Sequence, residues 1–572
     1  MRLALLGLAG SLLLASSLSC GDEESTDPSQ NASLDGGGTG DGSITEDGST
    51  SSLDGAGLSD GATTLDGGAV DAGTLPDGAP LPPPPAPLCT PPVALANTSV
   101  PTTKVGTGTP ASCTDAALHA AVAAGGVVTF DCGPLPHEIV VQTPLAPPTN
   151  KDTIIDGAGK ITLSGDGKVR ILQLIHSFEK ASPTVTVQRL TFTKGRSTDV
   201  PNTTATTKGG AALYTLGGNL TVIDSVFTDN HGPDTGQDVA GGAIYNVGAG
   251  ATVIVGSRFA GNTCSNGGAI GALGSALSIV NTTIAGNQTT GSGGNPGNGG
   301  NGGGAVMDGQ GKTLTICGAV FTDNVGAAFG GALFRTSYEN EATTIDKSVF
   351  DGNRVLDNPN SQAGSVYLQG TKITMTASSI VNSQARFAAA MSVYEHGVPA
   401  PGQIDMTNVT IANNATYTRT DFTTRGLVGG ITVGDRVLGT WTNVTIAHNA
   451  AQFASGIGGV SNRLTIRNSV IRNDAQNLYT PLNCNGTPPA NGDHVVQFPA
   501  SNSAGAEAPC VSGAQLVDPK LGPLVGQPGE QKVRRPVAGS PLLGLGTTCP
   551  ATDQLGKARP ATGCTAGAVE GI

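Results

Sequence analysis

The 572-residue sequence predicts an all-β solenoid of about ten parallel coils, with a short capping helix at its start and an irregular tail at its end. Two observations predict it. The first is a phrase that recurs between about Lys208 and Asn473: a Gly-Gly-Ala-apolar turn, then an alternating strand that ends in asparagine. Clear copies run from Gly241-Gly242-Ala243-Ile244 through Thr252-Val253-Ile254-Val255 to Asn262, and from Gly303-Gly304-Ala305-Val306 through Leu314-Thr315-Ile316 to Asn324. Others end at Asn230, Asn287, Asn353, Asn414 and Asn449, and a degraded copy has Ser383 in the asparagine's place. Successive endpoints lie mostly 25 to 37 residues apart, the interval of a solenoid repeat. The second observation is the alternation inside a copy, where Leu220, Val222 and Phe227 interleave with Thr221, Ile223 and Thr228. That is the period of a strand with one side on an interior and the other mostly facing water. One coil cannot bury its apolar side alone, so coils must stack at about 4.8 Å each into a rod of roughly 50 Å. Glycine pairs supply positive φ at the corners. The terminal asparagines are expected to take the left-handed conformation and to bond through their amides one coil away.

In chain order, residues 1–20 come first. Met1-Arg2, an apolar run from Leu3 to Leu18 and Ser19-Cys20 read as an export signal, too short to remain as a spanning helix. Residues 21–88 are Gly, Ser, Thr, Asp and Pro with recurring Asp-Gly pairs, a composition that cannot bury a core. This linker carries 13 acidic residues and no Lys or Arg, whereas the chain from Cys89 onward carries 30 acidic and 29 basic residues. The net charge of −13 therefore sits in the linker. It gives no indication of a basic nucleic-acid surface on the folded body. A flexible linker of this length spans on the order of 45 Å.

Residues 89–480 are expected to form the solenoid. Its start is a helix near 112–124, with Ser112 as N-cap and Gly125 as the stop, laid across the open end of the first coil. Residues 481–572 break the repeat and become proline-rich. The ten cysteines of an exported chain are read as disulfides. Cys113 with Cys132, Cys484 with Cys510, and Cys549 with Cys564 are close in sequence and bracket non-repeat segments, and each loop contributes about 3 kcal/mol. Of Cys89, Cys264 and Cys317, at least one is expected to be free or to pair between chains. Cys-x-x-Cys spacing is absent and the seven histidines are scattered, so no metal site is expected.

The repeat looks like that of the right-handed parallel β-helix proteins, the group that includes pectate lyases, polymorphic outer-membrane proteins and many large bacterial surface proteins. Ser17-Leu18-Ser19-Cys20 resembles a bacterial lipobox, which implies lipidation of Cys20. Asp518-Pro519-Lys520-Leu521-Gly522-Pro523, Gly539-Ser540-Pro541, Asp553-Gln554-Leu555-Gly556, Arg559-Pro560 and Gly567-Ala568-Val569-Glu570 resemble the choice-of-anchor Q domain, a tail of bacterial surface β-helix proteins. Leu555 departs from that pattern, which has arginine there. Asp553, Arg559 and Glu570 read as an ion-pair cluster fastening the tail to the last coils.

Any chemistry has to sit in residues that interrupt the repeat. Insertions at 231–240, 288–302, 354–362 and 415–429 fall at one corner and line up on one face. The corner after the Gly-Gly-Ala strand carries Asp308, then Arg335, Tyr338 and Glu339, then Tyr394, Glu395 and His396, then Asp435. Carboxylates beside aromatic faces are what a polysaccharide groove needs, but turns are polar simply because they are solvated, and no catalytic motif sharpens the stripe. The expected function is that of a monomeric exported protein, anchored by its lipid at the outer membrane or surface of a Gram-negative bacterium or alternatively secreted, acting in adhesion, surface interaction or as a spacer. Its expected partners are the membrane and a polysaccharide or another cell surface. The alternative is a polysaccharide lyase or glycoside hydrolase. No cofactor is expected, with Ca²⁺ reserved for the lyase alternative.

Overall fold

The strands of the coiled body pair in parallel with their equivalents in neighbouring coils, one on each side except where a wall begins or ends. The computed structural model describes residues 86–197, 209–293, 299–309, 312–359, 361–395, 400–418, 426–473, 482–502 and 505–571. The export segment, Cys20, residues 21–85 of the linker and His396 lie outside them. One coil contains the strands Ile244–Val247, Ala251–Val255, Arg258–Ala260 and Thr263–Cys264. Their equivalents stack into walls. The Gly-Gly-Ala wall has 11 strands, from Leu172–Ile175 to Leu482–Cys484, and the wall of two-residue strands has six. The second and third walls merge into one 26-strand sheet, because Thr153–Ser164 and Thr184–Thr193 each run through both. This is a parallel β-helix. Antiparallel strand pairs occur, among the described residues, only in the tail.

Register explains the core. Phe192, Phe227 and Phe259 sit at one position of successive coils, with ring centroids 4.9 and 4.7 Å apart, and Phe321 stacks on Phe350 at 5.0 Å. Ile284 and Ile380 occupy the same column. All are fully buried. A ring at about the coil spacing packs face to face with its neighbour without leaving a void.

The asparagines form a ladder. Asn230 Nδ2 donates to Asn262 Oδ1 at 2.9 Å, Asn262 to Asn287 at 2.9 Å, Asn287 to Asn324 at 3.0 Å and Asn324 to Asn353 at 2.9 Å. The same oxygens accept backbone N–H groups of the preceding asparagine. At Ser383 the ladder breaks: Ser383 Oγ lies 2.7 Å from Ser365 Oγ, and the run resumes with Asn414 to Asn449 at 2.8 Å. The left-handed residue is not the ladder asparagine but the one before it: Asp229, Gly261, Gly286, Asp323, Gly352, Asn382, Asn413 and His448. The reason is geometric, since the turn must finish before the amide points along the stack.

Two further expectations need correction. The Gly-Gly-Ala strand is buried on both faces, Ile244–Val247 throughout, because the insertion loops fold over its outer side. The helix is Asp115–Ala124, and its N-cap is Thr114, whose hydroxyl accepts from Ala117 N at 3.2 Å. Ser112 instead ends a 3₁₀ turn and accepts from Thr107 N. The helix buries Leu118, Ala121 and Val122, and Gly125 ends it at φ 63°.

Disulfides join Cys113–Cys132, Cys484–Cys510, Cys549–Cys564 and Cys89–Cys317, leaving Cys264 as a buried free thiol whose pKa burial pushes up to about 12. The chain ends clad the rod. Residues 86–100 run along the corner between the second and third walls, with Ala96 bonded to Gln188 and Thr98 to Asp156. The tail covers later coils: Lys532 pairs with Asp351, Arg534 with Asn413, and Gln554 with Thr410. Arg559 reaches Glu570 at 2.9 Å, Asn408 and two carbonyls, whereas Asp553 accepts N–H groups of Leu555, Lys557 and Glu570. Leu555 is 41% exposed, so no polar contact centres on it.

Candidate functional site

The corner after the Gly-Gly-Ala strand is built by register. Asp308 is the penultimate residue of Ala305–Gly309 and stacks under Thr336, which stacks under Gln369 and then Tyr394. Asp308 and Tyr394 are therefore three coils apart, about 14 Å along the rod. Two carboxyl groups that share a glycosidic bond stand about 5 to 9.5 Å apart, so the stripe as a whole is not one site and any such pair would have to come from the same or neighbouring coils.

Four residues do converge. Asp308 is buried and accepts from Tyr338 Oη at 3.2 Å. Glu341 is buried and accepts from Ser337 Oγ at 2.6 Å and Glu339 N at 2.7 Å. Arg335 occupies the column of Met307, Leu368 and Val393, which points into the core, and is fully buried. Its guanidinium donates to Thr336 O, to Lys312 O at 2.8 Å and to Thr343 Oγ1 at 3.3 Å. Burial lowers its pKa to about 10 against the opposing pull of Glu341 and Asp308, so it stays charged at neutral pH. The group ties a corner together: the arginine satisfies turn carbonyls that would otherwise be orphaned.

Of the remaining stripe residues, Tyr394, Glu395 and Asp435 gather at a later stretch of the same corner, where both carboxylates act on the Tyr394 phenol. Glu339 is exposed, and its carbonyl accepts from Thr371. Tyr394 donates to Gln362 Oε1 at 3.0 Å, and burial raises its pKa to about 12. Glu395 is half-buried beside Gly434, and Asp435 is exposed. Among the described residues, one group of His, Cys, Asp or Glu is close enough to share a metal ion, Cys89, Cys317 and Asp346, and its two sulfurs are joined to each other.

The outer face of the Gly-Gly-Ala wall holds something the alternation argument missed. Tyr214, Tyr245, Val306, Phe334 and Tyr367 form a second apolar column, with Phe334 and Tyr367 stacked at 5.0 Å. The signal was present as adjacent apolar pairs after Gly-Gly-Ala, such as Ile244-Tyr245, Leu333-Phe334 and Val366-Tyr367, which mark a strand covered on both sides. The insertion loops provide the cover: Tyr245 Oη donates to Asp238 O, Asn266 Nδ2 to Gln237 O, and Phe329 packs on Tyr367. Between loop and column lies a cleft lined by Asp238, Tyr245, Asn266, Leu273, Val306 and Asp308. Burial raises the pKa of Asp238. The empty space, about 240 Å³ to its mouth, is smaller than ligand pockets generally are.

No family model matches this chain, and no curated protein does. Among solved structures, the chain is similar to the pectate lyase Pel9A over 80% of its own length and 90% of that chain, at 12% identity and a TM-score of 0.31. The parallel register described above, and not this likeness, carries the fold.

Proposed function

We propose that the chain is an exported β-helix rod held at a Gram-negative bacterial surface by lipid on Cys20, where it acts in adhesion, surface interaction or spacing. The observation that carries this reading is the fate of the polar corner residues. Asp308 accepts from Tyr338, while Arg335 and Glu341 bond turn backbone and neighbouring hydroxyls, which favours a role in the fold over one in bond cleavage. Four disulfides suit an oxidising compartment. The acidic linker suits a spacer between a lipid and the folded body, and the tail's resemblance to choice-of-anchor Q domains fits a surface protein. Fractionation of cells expressing the whole chain tests the reading. The wild type is expected in the membrane fraction and exposed to added protease, and Cys20→Ser is expected to leave that fraction. Equal release of both forms would contradict the lipid anchor.

The second reading is a polysaccharide lyase or hydrolase. It draws on the cleft where Asp238 and Asp308 flank Tyr245. The small volume of that cleft weighs against it.

A further inference from the structure

The chain enters the rod at its waist. Starting from the cap, Thr98 Oγ1 bonds Asp156, Ala96 exchanges two hydrogen bonds with Gln188, and Val93 packs on Ile223, Val255 and Val280. Asn281 then grips the strap, accepting from Leu88 N and Cys89 N at 3.1 Å each and donating to Cys89 O at 2.7 Å. The disulfide Cys89–Cys317 closes it. The strap runs against the stacking direction. Cys317 lies near the middle of a wall that extends from Gly126–Phe130 to Asn491–Asp493. Thr98 to Cys89 is about 30 Å of extended chain, enough for the five coil steps of about 4.8 Å that it crosses.

We infer that this strap is a mechanical bypass: tension arriving from a lipid on Cys20 through residues 21–88 passes through Cys89–Cys317 into the middle of the rod, and the capping helix and every coil before Cys317 are shielded from it. This rests on reading residues 20–88 as a tether. The physical case is the vulnerability of a solenoid end. Each coil holds only to its neighbours, so a pull on the cap would peel coils one at a time. A pull at the waist loads a covalent bond and strands that are paired on both sides. The Val93 contacts lie behind the disulfide and hold the strap in register without bearing the load, whereas Asn281 shares the load at Leu88 and Cys89.

An optical-trap experiment on the full chain tests this, with one handle inside residues 21–85 and the other at the C-terminus. The disulfide closes a sequence separation of 228 residues, within which Cys113–Cys132 keeps 19 closed, so the wild type is expected to unfold with a contour length shorter than that of a Cys89→Ser, Cys317→Ser variant by about 70 nm. Reductant opens the other three disulfides as well, so adding it to folded wild type in the trap is expected to release about 90 nm, which keeps the test valid if the variant folds poorly. A Cys549→Ser, Cys564→Ser control is expected to gain only about 5 nm. The inference is overturned if wild type and variant give equal lengths, or if the oxidised wild type still loses its first coils before the rest. Fractionation tests the tether separately, so a chain found unattached to any surface would leave the load path standing while removing its use.

Discussion

Asn287 shows how much one side chain carries. Its oxygen accepts from Asn262 N and Nδ2, and its amide donates to Asn324 Oδ1, Phe259 O and Ala285 O, all fully buried. Asn287→Ala leaves the Asn262 backbone N–H without an acceptor and is expected to cost about 3 kcal/mol, read from the denaturant midpoint. The natural break at Ser383 provides the converse test. Ser365→Ala together with Ser383→Asn restores an amide to the gap, and the pair is expected to be neutral or stabilising, whereas Ser383→Ala alone leaves the Ser365 hydroxyl with only its longer contact to Asn353 and costs about 1 kcal/mol. Arg335→Met matches the inward residue of the preceding coil yet leaves Asp308 and Glu341 facing lost countercharge. A stability loss of about 3 kcal/mol is expected, by chemical denaturation. The ladder was legible because asparagine at a fixed interval has few other uses. Arg335 was not, since charge alone cannot tell an inward guanidinium that satisfies carbonyls from a solvated turn residue.

At the scale of elements, the strap depends on a carboxylate. Burial acts to raise the Asp156 pKa, but hydrogen bonds from Arg189, Thr98, Ala158 and Gln188 outweigh it, and the net shift is downward from 3.8. A depressed folded pKa means that the contribution is complete above the unfolded value and lost as pH falls through the folded one. Pepsin cleavage in residues 86–100 is therefore expected to rise as pH drops from about 4 to 2 in the wild type. In Asp156→Asn it should already be high at the upper end and vary little. The existence of strands and of a capping helix followed from period and punctuation, yet the exact cap did not: Ser112 and Thr114 are both capping types two residues apart, and only the 3₁₀ turn from Pro110 decides between them. Nothing in the sequence of residues 86–100 announces a strap, because its partners lie up to 228 residues away.

For the whole molecule, the design is a stacked core whose corner and flank are clad by its own two ends. The parallel stack was legible since repetition states the same contact many times over. The strap was not, because each of its contacts is made once and leaves no periodic trace, and of the tail only the fastening around Arg559 and Glu570 was. Most buried polar groups of this architecture hold coils, loops and ends together, which supports the proposed non-catalytic role. Its most direct test is incubation of the purified, oxidised chain with a panel of acidic and neutral polysaccharides, with and without Ca²⁺, monitored for unsaturated and reducing ends. The account predicts no release above that of a heat-denatured control. Sustained release of either kind of end, abolished by Asp308→Asn or Asp238→Asn in a variant that still folds, would contradict it.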